Sequence, residues 1–231
     1  MEQVTLPGDP PIEVMLKSSP RARRLSLRVS RLDGRVTLTL PQGASRRQAL
    51  AFAREKEDWV RRNLADRPQD IHPQPGDQVP FGGRPHMLVD SGGRAARLGE
   101  DVIHLPQGSP EKTGARLAAL FKHHARRNLH KASAGYAARA QRQVGRITLR
   151  DTRSRWGSCS HEGNLMFSWR LIMAPPEVLD YVAAHEVAHL VEMNHSPAYW
   201  AVVEHLCPQY RGPRMWLRQN GALLHRYRFR D

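Results

Sequence analysis

Residues 178–190 read Val-Leu-Asp-Tyr-Val-Ala-Ala-His-Glu-Val-Ala-His-Leu, an apolar run broken near its centre by two histidines and a glutamate. Such a run is predicted to form a buried helix. Burying unpaired polar groups costs roughly 2–7 kcal/mol each, so these three need a purpose in any fold the chain adopts. His185 and His189 are four residues apart and share one helix face, where two imidazoles can bind a single Zn²⁺. Glu186 stands beside them, where a carboxylate can take a proton from a zinc-bound water. His195 follows six residues later as a candidate third ligand.

Chance is a poor explanation of this spacing. With 12 histidines and 11 glutamates in 231 residues, an accidental His-Glu-x-x-His arises with a probability of roughly 3 %. Adding a histidine at one fixed spacing lowers this to roughly 0.2 %.

The third ligand has two candidates. In His-Glu-x-x-His-x-x-Gly-x-x-His proteases the glycine makes the turn that returns the last histidine to the metal. Here that position is Glu192, so the turn is expected at Asn194, which tolerates a left-handed conformation. Ser196-Pro197 then begins the next helix, which favours His195. Glu204, on that helix, is the competitor. Three side chains could donate to the oxyanion of a tetrahedral intermediate: Tyr199, Arg155 and Arg170. For Tyr199, core packing is the better reading.

The charge is unevenly spread. The net charge is +14, and residues 112–155 hold 12 Lys or Arg against one acid, Asp151. That segment could contact nucleic acid or be a solvated basic helix. Residues 171–210 hold no Lys or Arg and five acids, a neighbourhood that helps hold a dication. No apolar run approaches the roughly 20 residues that span a bilayer. The N-terminus lacks the pattern of a secretory signal. Cys159 and Cys207 form no disulfide framework, so the expected compartment is the cytoplasm. Cys159 is read as structural, with a reactive thiol as the alternative.

Alternating apolar residues in Leu25–Val29 and Val36–Leu40, with Asp33-Gly34 between them, predict a β-hairpin. Ser45 can cap a helix reaching Leu64. A proline-rich connection over 66–77 leads to short strands near 78–81, 84–90 and 101–105. A break at 107–110 gives an expected division into a mainly β region with one helix, 1–110, and a catalytic domain, 111–231, with the alternative that the two parts pack as one unit. In the catalytic domain, a long helix spans 111–144, with Gly135 able to bend or divide it. Strands follow at 146–151 and 164–170, then helices from Pro176 to about Met193, from Pro197, and from Arg214 to Asn220, closed by Gly221. Strand 164–170 reads equally as a core strand or as an edge strand able to pair with an extended peptide.

Three blocks carry a family resemblance: Ser154-Arg-Trp-Gly-Ser-Cys-Ser, Pro176–Leu190, and Asn194-His-Ser-Pro-Ala-Tyr-Trp. They resemble the YgjP-like metallopeptidases, relatives of the SprT-like and WLM zincins; the hairpin and the helix ending in Trp59 are similar less specifically. The resemblance implies an α+β, zincin-like metallopeptidase domain preceded by a β-hairpin and helix region. It implies His185, His189 and His195 as Zn²⁺ ligands, Glu186 as acid and base, and a peptide or protein substrate in a bacterial cytoplasm. SprT-like relatives act on proteins attached to DNA. The expected function is therefore zinc-dependent peptide hydrolysis. The alternatives are a nucleic-acid-associated protein with a structural zinc, or a protease delivered to DNA by segment 112–155.

Overall fold

The computed structural model describes residues 2–30, 33–66, 69–108 and 110–229. Arg31 and Leu32 in the expected hairpin, Arg67 and Pro68 in the connection, and Ser109 in the break lie outside them. The chain is mixed α+β and divides into two units, Met1–Gln69 and Asp70–Asp231.

The first unit holds β1 (Glu2–Leu6), β2 (Ile12–Ser18), β3 (Ser26–Val29), β4 (Val36–Leu40), α1 (Arg46–Glu55) and α2 (Glu57–Ala65). The hairpin is β3 antiparallel to β4, with Val29 opposite Val36. Two strands join it that the sequence reading did not anticipate, giving the order β1-β2-β4-β3. Their signal is the period-2 series Ile12, Val14, Leu16, all buried. Ser45 caps α1 in a reciprocal capping box with Gln48. The single helix expected here is interrupted at Lys56, whose ψ of 10° leaves the helical range.

The second unit contains β5 (Gln78–Phe81), β6 (Arg84–Ser91), β7 (Arg97–Leu98) and β8 (Val102–Pro106), in the order β5-β6-β8-β7. Then come α3 (Thr113–Arg139), β9 (Ile147–Arg150), β10 (Gly157–Cys159), β11 (Leu165–Ser168), a 3₁₀ turn Trp169–Met173, α4 (Pro176–Ala188), α5 (Pro197–Leu206) and α6 (Arg211–Leu224). The expected boundary at 110 thus differs from the observed one at Gln69. Val79, Leu88, Ile103 and Leu105 share one apolar core with Leu117 and Phe121 of α3. Gly82 and Gly83 also donate backbone hydrogen bonds to Ile172 and Met173. A core shared in this way makes one unit of strands and helices that composition alone separates.

The structure decides three further readings. Gly135 does not divide α3, which is continuous. Gly221 does not close α6 but lies buried within it, where a Cβ would fall 2.9 Å from Trp156 Cζ2, so the missing side chain admits an indole. Residues 165–168 are the central strand of the order β10-β11-β9, so β10 is the sheet edge nearest α4.

Candidate metal centre

Pro176 starts α4 at the first helical position, where its missing N–H is no loss. Val178, Val182, Ala183, Ala184, Val187 and Ala188 are buried and fix the helix in the core. His185 and His189 therefore present one face at a set height. The helix ends at Ala188, earlier than the expected Met193, with His189 as its C-terminal cap. The N–H groups of both Val191 and Glu192 bond the Ala188 carbonyl, and Ser196 N bonds the Asn194 carbonyl at 2.7 Å. The return to His195 is made by this longer turn. Asn194 is not among the residues of positive φ, so the left-handed residue expected there is not used.

His185, His189 and His195 converge, with their ligand atoms within 4.8 Å of one another. Nε2 of His185 and Nε2 of His195 are 3.3 Å apart. Two imidazoles bound to one tetrahedral metal at about 2.0–2.1 Å place their nitrogens about 3.3 Å apart. His189 Nδ1 lies 3.1 Å from the Glu192 carbonyl, and a proton donated there leaves Nε2 free for a cation. Glu192, where related motifs have glycine, thus orients the His189 ring through its backbone. Burial pushes the His185 imidazole down to about 3, helped by His189, His195 and Arg214. Burial lowers His189 too. Both are held in the neutral form that metals require, and His185 Nδ1 is buried with no hydrogen-bond partner. The donor set fits a metal ion that accepts imidazole nitrogen.

Tyr199 organises the three rings. Its phenol donates to the His185 carbonyl at 2.9 Å, its ring stacks on His189 at 4.5 Å, and it meets His195 edge-on at 4.7 Å. Ser196 caps α5 by accepting from Tyr199 N. Trp200 lies along His195 at 6.0 Å and carries Arg214 on its ring at 4.3 Å.

Glu186 is only 4 % exposed. Burial pushes its carboxyl up to about 8, against the opposing pull of Arg155. A cleft of about 640 Å³ joins Glu186 and the three histidines to Ser154–Cys159, Tyr181, Val182, Met193 and Leu217. Of the other sequence candidates, Arg155 lines this cleft and is exposed. Arg170 is committed elsewhere, bonding Asp151 at 2.6 Å and the carbonyls of Leu224 and Tyr227. Glu204 lies outside the histidine cluster, exposed, 3.7 Å from Arg211. Cys159 lines the cleft, and burial raises its thiol to about 11, so it stays protonated at neutral pH. Tyr181 and Leu217 face the cleft and were not anticipated. Tyr181 was legible, since it lies four residues before His185.

The sequence matches the YgjP-like metallopeptidase domain over residues 23–220. The chain belongs to the YgjP-like metallopeptidase family. It is therefore a metallopeptidase, a hydrolase of peptide or protein substrates. Among solved structures it is similar to the metallopeptidase zymogen abylysin of Pyrococcus abyssi, at 20 % identity and a TM-score of 0.36, over 41 % of this chain and 94 % of that one. No curated protein matches it. Among the described residues, no helix of this family member is long and apolar enough to cross a membrane.

Proposed function

We propose that this metallopeptidase uses zinc, held by His185, His189 and His195, with Glu186 as the group that moves the proton. The observation that carries this reading is the 3.3 Å approach of two histidine Nε2 atoms in the cleft that also contains the Glu186 carboxyl. When bound there, zinc supplies Lewis acidity, polarising a carbonyl and bringing the pKa of water at its open position near ~7. A dication nearby also favours the ionised form of Glu186, against the burial that raises its pKa. Glu186 accepts a proton from the attacking water and delivers it to the leaving amine. Its burial keeps bulk water from competing for that proton. Arg155 lines the cleft and is the best placed of the three sequence candidates to meet negative charge on the tetrahedral carbon's oxygen.

The edge strand β10 lines the cleft through Gly157, Ser158 and Cys159. An extended substrate can add to it by main-chain hydrogen bonds, the role first considered for residues 164–170. Both cysteines are free, which suits a reducing compartment such as the cytoplasm. Purified protein is expected to carry about one zinc per chain. Glu186→Gln should keep the metal and lose hydrolysis; a Glu186→Gln protein that still cleaves peptides would falsify the assignment.

A second reading rests on α3, which turns Arg126, Arg127 and Lys131 to solvent while Leu117, Phe121, Ala125 and Leu129 face the core. That basic face could bring the peptidase to nucleic acid. Binding to a DNA duplex should then weaken steeply with salt; no binding at low salt would end this reading.

A further inference from the structure

We propose that a second cavity, enclosed by α3, the 3₁₀ turn and the start of α4, binds a small apolar carboxylate. The carboxylate sits against Lys131 and Asn128, and the apolar body lies on a floor of Ile172, Ala174 and Leu179. The cavity measures about 570 Å³, a usual size for a small-molecule site, and shares no lining residue with the metal-centre cleft.

One face of α3 opens onto it. Asn128, Lys131, Ala132, Gly135, Tyr136 and Arg139 line the cavity and recur at the three- and four-residue spacing of a single helix face. Gly135 lies in the interior of this helix, where glycine is the weakest helix former after proline. Packing does not call for it, since a Cβ built there meets nothing within 4 Å. Gly114 on the same helix is different: its Cβ would fall 3.0 Å from the Phe229 backbone. What the missing side chain of Gly135 leaves is cavity, and Ala132 beside it keeps the middle of the face shallow.

The floor and the charge define what fits. Ile172, Ala174 and Leu179 are buried. Gly82 and Gly83 donate to the carbonyls of Ile172 and Met173, which holds the floor in place. Phe81 adds an aromatic wall, fixed edge-on to His86 and His124. At one end of the α3 face, Arg139 and Asp180 oppose each other in charge and are already engaged. Arg139 donates to the His205 carbonyl at 3.0 Å, and Asp180 accepts from the Tyr136 phenol at 2.7 Å. At the other end, among the described residues, neither the Lys131 ammonium nor the Asn128 amide one turn away has a partner. The lining thus carries two cations and one acid, and the charge left over is that of Lys131. One anionic head on an apolar body matches this arrangement. A cationic head would meet Lys131. A phosphate dianion brings a second charge for which the cavity holds only Arg139, already balanced by Asp180.

The test is calorimetric titration of the metal-loaded protein with hydrocinnamate, which should bind with a Kd of about 1 mM or tighter. Hydrocinnamyl alcohol, phenethylamine and phenyl phosphate should each bind about five-fold more weakly or worse. Lys131→Glu replaces an attraction by a repulsion and should weaken hydrocinnamate by about ten-fold or more. Gly135→Leu fills the cavity without changing any charge, which separates the cavity from the basic face of α3, and should abolish binding. Both residues lie outside the metal centre, so both variants should hydrolyse peptides as wild type does. If Gly135→Leu fails to fold, Lys131→Glu, at an exposed position, decides alone. A wild-type Kd above about 10 mM overturns the site. So does an alcohol or a phosphate that equals the carboxylate, or a Kd that the variants leave unchanged, which would put the carboxylate on the metal instead.

Discussion

A Cβ built on Gly157 would fall 2.6 Å from Glu186 Cγ and onto its carboxylate oxygen Oε1. The edge strand β10 therefore passes the buried carboxyl at a distance that only glycine permits. Gly157→Ala must push Glu186, the strand, or both. A displacement on the scale of 1 Å at a reacting group costs about 100-fold. We expect kcat to fall by about that factor, with a stability loss of about 1–3 kcal/mol from overpacking. Steady-state kinetics and a thermal melt separate the two effects. An unchanged kcat would show that Glu186 and β10 can separate freely.

The third-ligand question has a direct measurement. His195→Ala should weaken zinc binding by more than about 100-fold, beyond the 10–100-fold typical of groups that only orient a ligand. Glu204→Ala should leave affinity within about two-fold, since it ends an exposed ion pair that contributes little. Competition with a chromophoric chelator reads both variants. The reverse order of effects would make Glu204 the ligand.

Arg170 holds the chain's C-terminal end to the cleft's supporting loop. It is 5 % exposed, bonds both oxygens of Asp151, and donates to the carbonyls of Leu224 and Tyr227. Asp151 is exposed and would be solvated without its partner, but the carbonyls of Leu224 and Tyr227 would lose their donor, so Arg170→Ala should cost about 1–3 kcal/mol. Denaturant unfolding gives that number. A loss below about 1 kcal/mol would mean that water replaces the guanidinium.

Helix α4 and the convergence of its two histidines with His195 were legible because the requirements of metal chemistry are local: two imidazoles one turn apart, and a third within reach of a short turn. The way the turn is made was not legible. Asn194 invites a left-handed residue, yet α4 stops at Ala188 and its bifurcated carbonyl starts the return. Long-range packing was equally hidden. Gly221 reads as a helix stop until Trp156 is seen against it. Residues 165–168 read equally as core or edge until β10 pairs on one side and β9 on the other. The unit boundary at Gln69 follows from Leu88 and Ile103 sharing a core with Phe121, a contact that no composition window contains.

His225 makes stability depend on pH apart from the metal site. It is 4 % exposed, packed 5.0 Å from Trp156. Burial lowers its pKa from 6.5 to about 4, with Arg170, Arg153 and Arg228 adding to the effect and Asp151 opposing it. Between those values the unfolded chain binds a proton that the folded chain refuses. The stability contributed by the neutral imidazole is therefore fully present above pH 6.5 and is lost as pH falls toward 4. The loss amounts to roughly 3 kcal/mol at the lower end. Ligand protonation and zinc release also act in this range, so the measurement is a difference. Wild type and His225→Phe, which keeps a ring against Trp156 and cannot titrate, are unfolded in denaturant from pH 7 to 4 with a chelator present. The wild-type curve should fall more steeply, by an amount that grows as pH drops below 6.5. Parallel curves would mean that His225 takes up its proton within the fold, by turning its ring toward Asp151 or toward solvent.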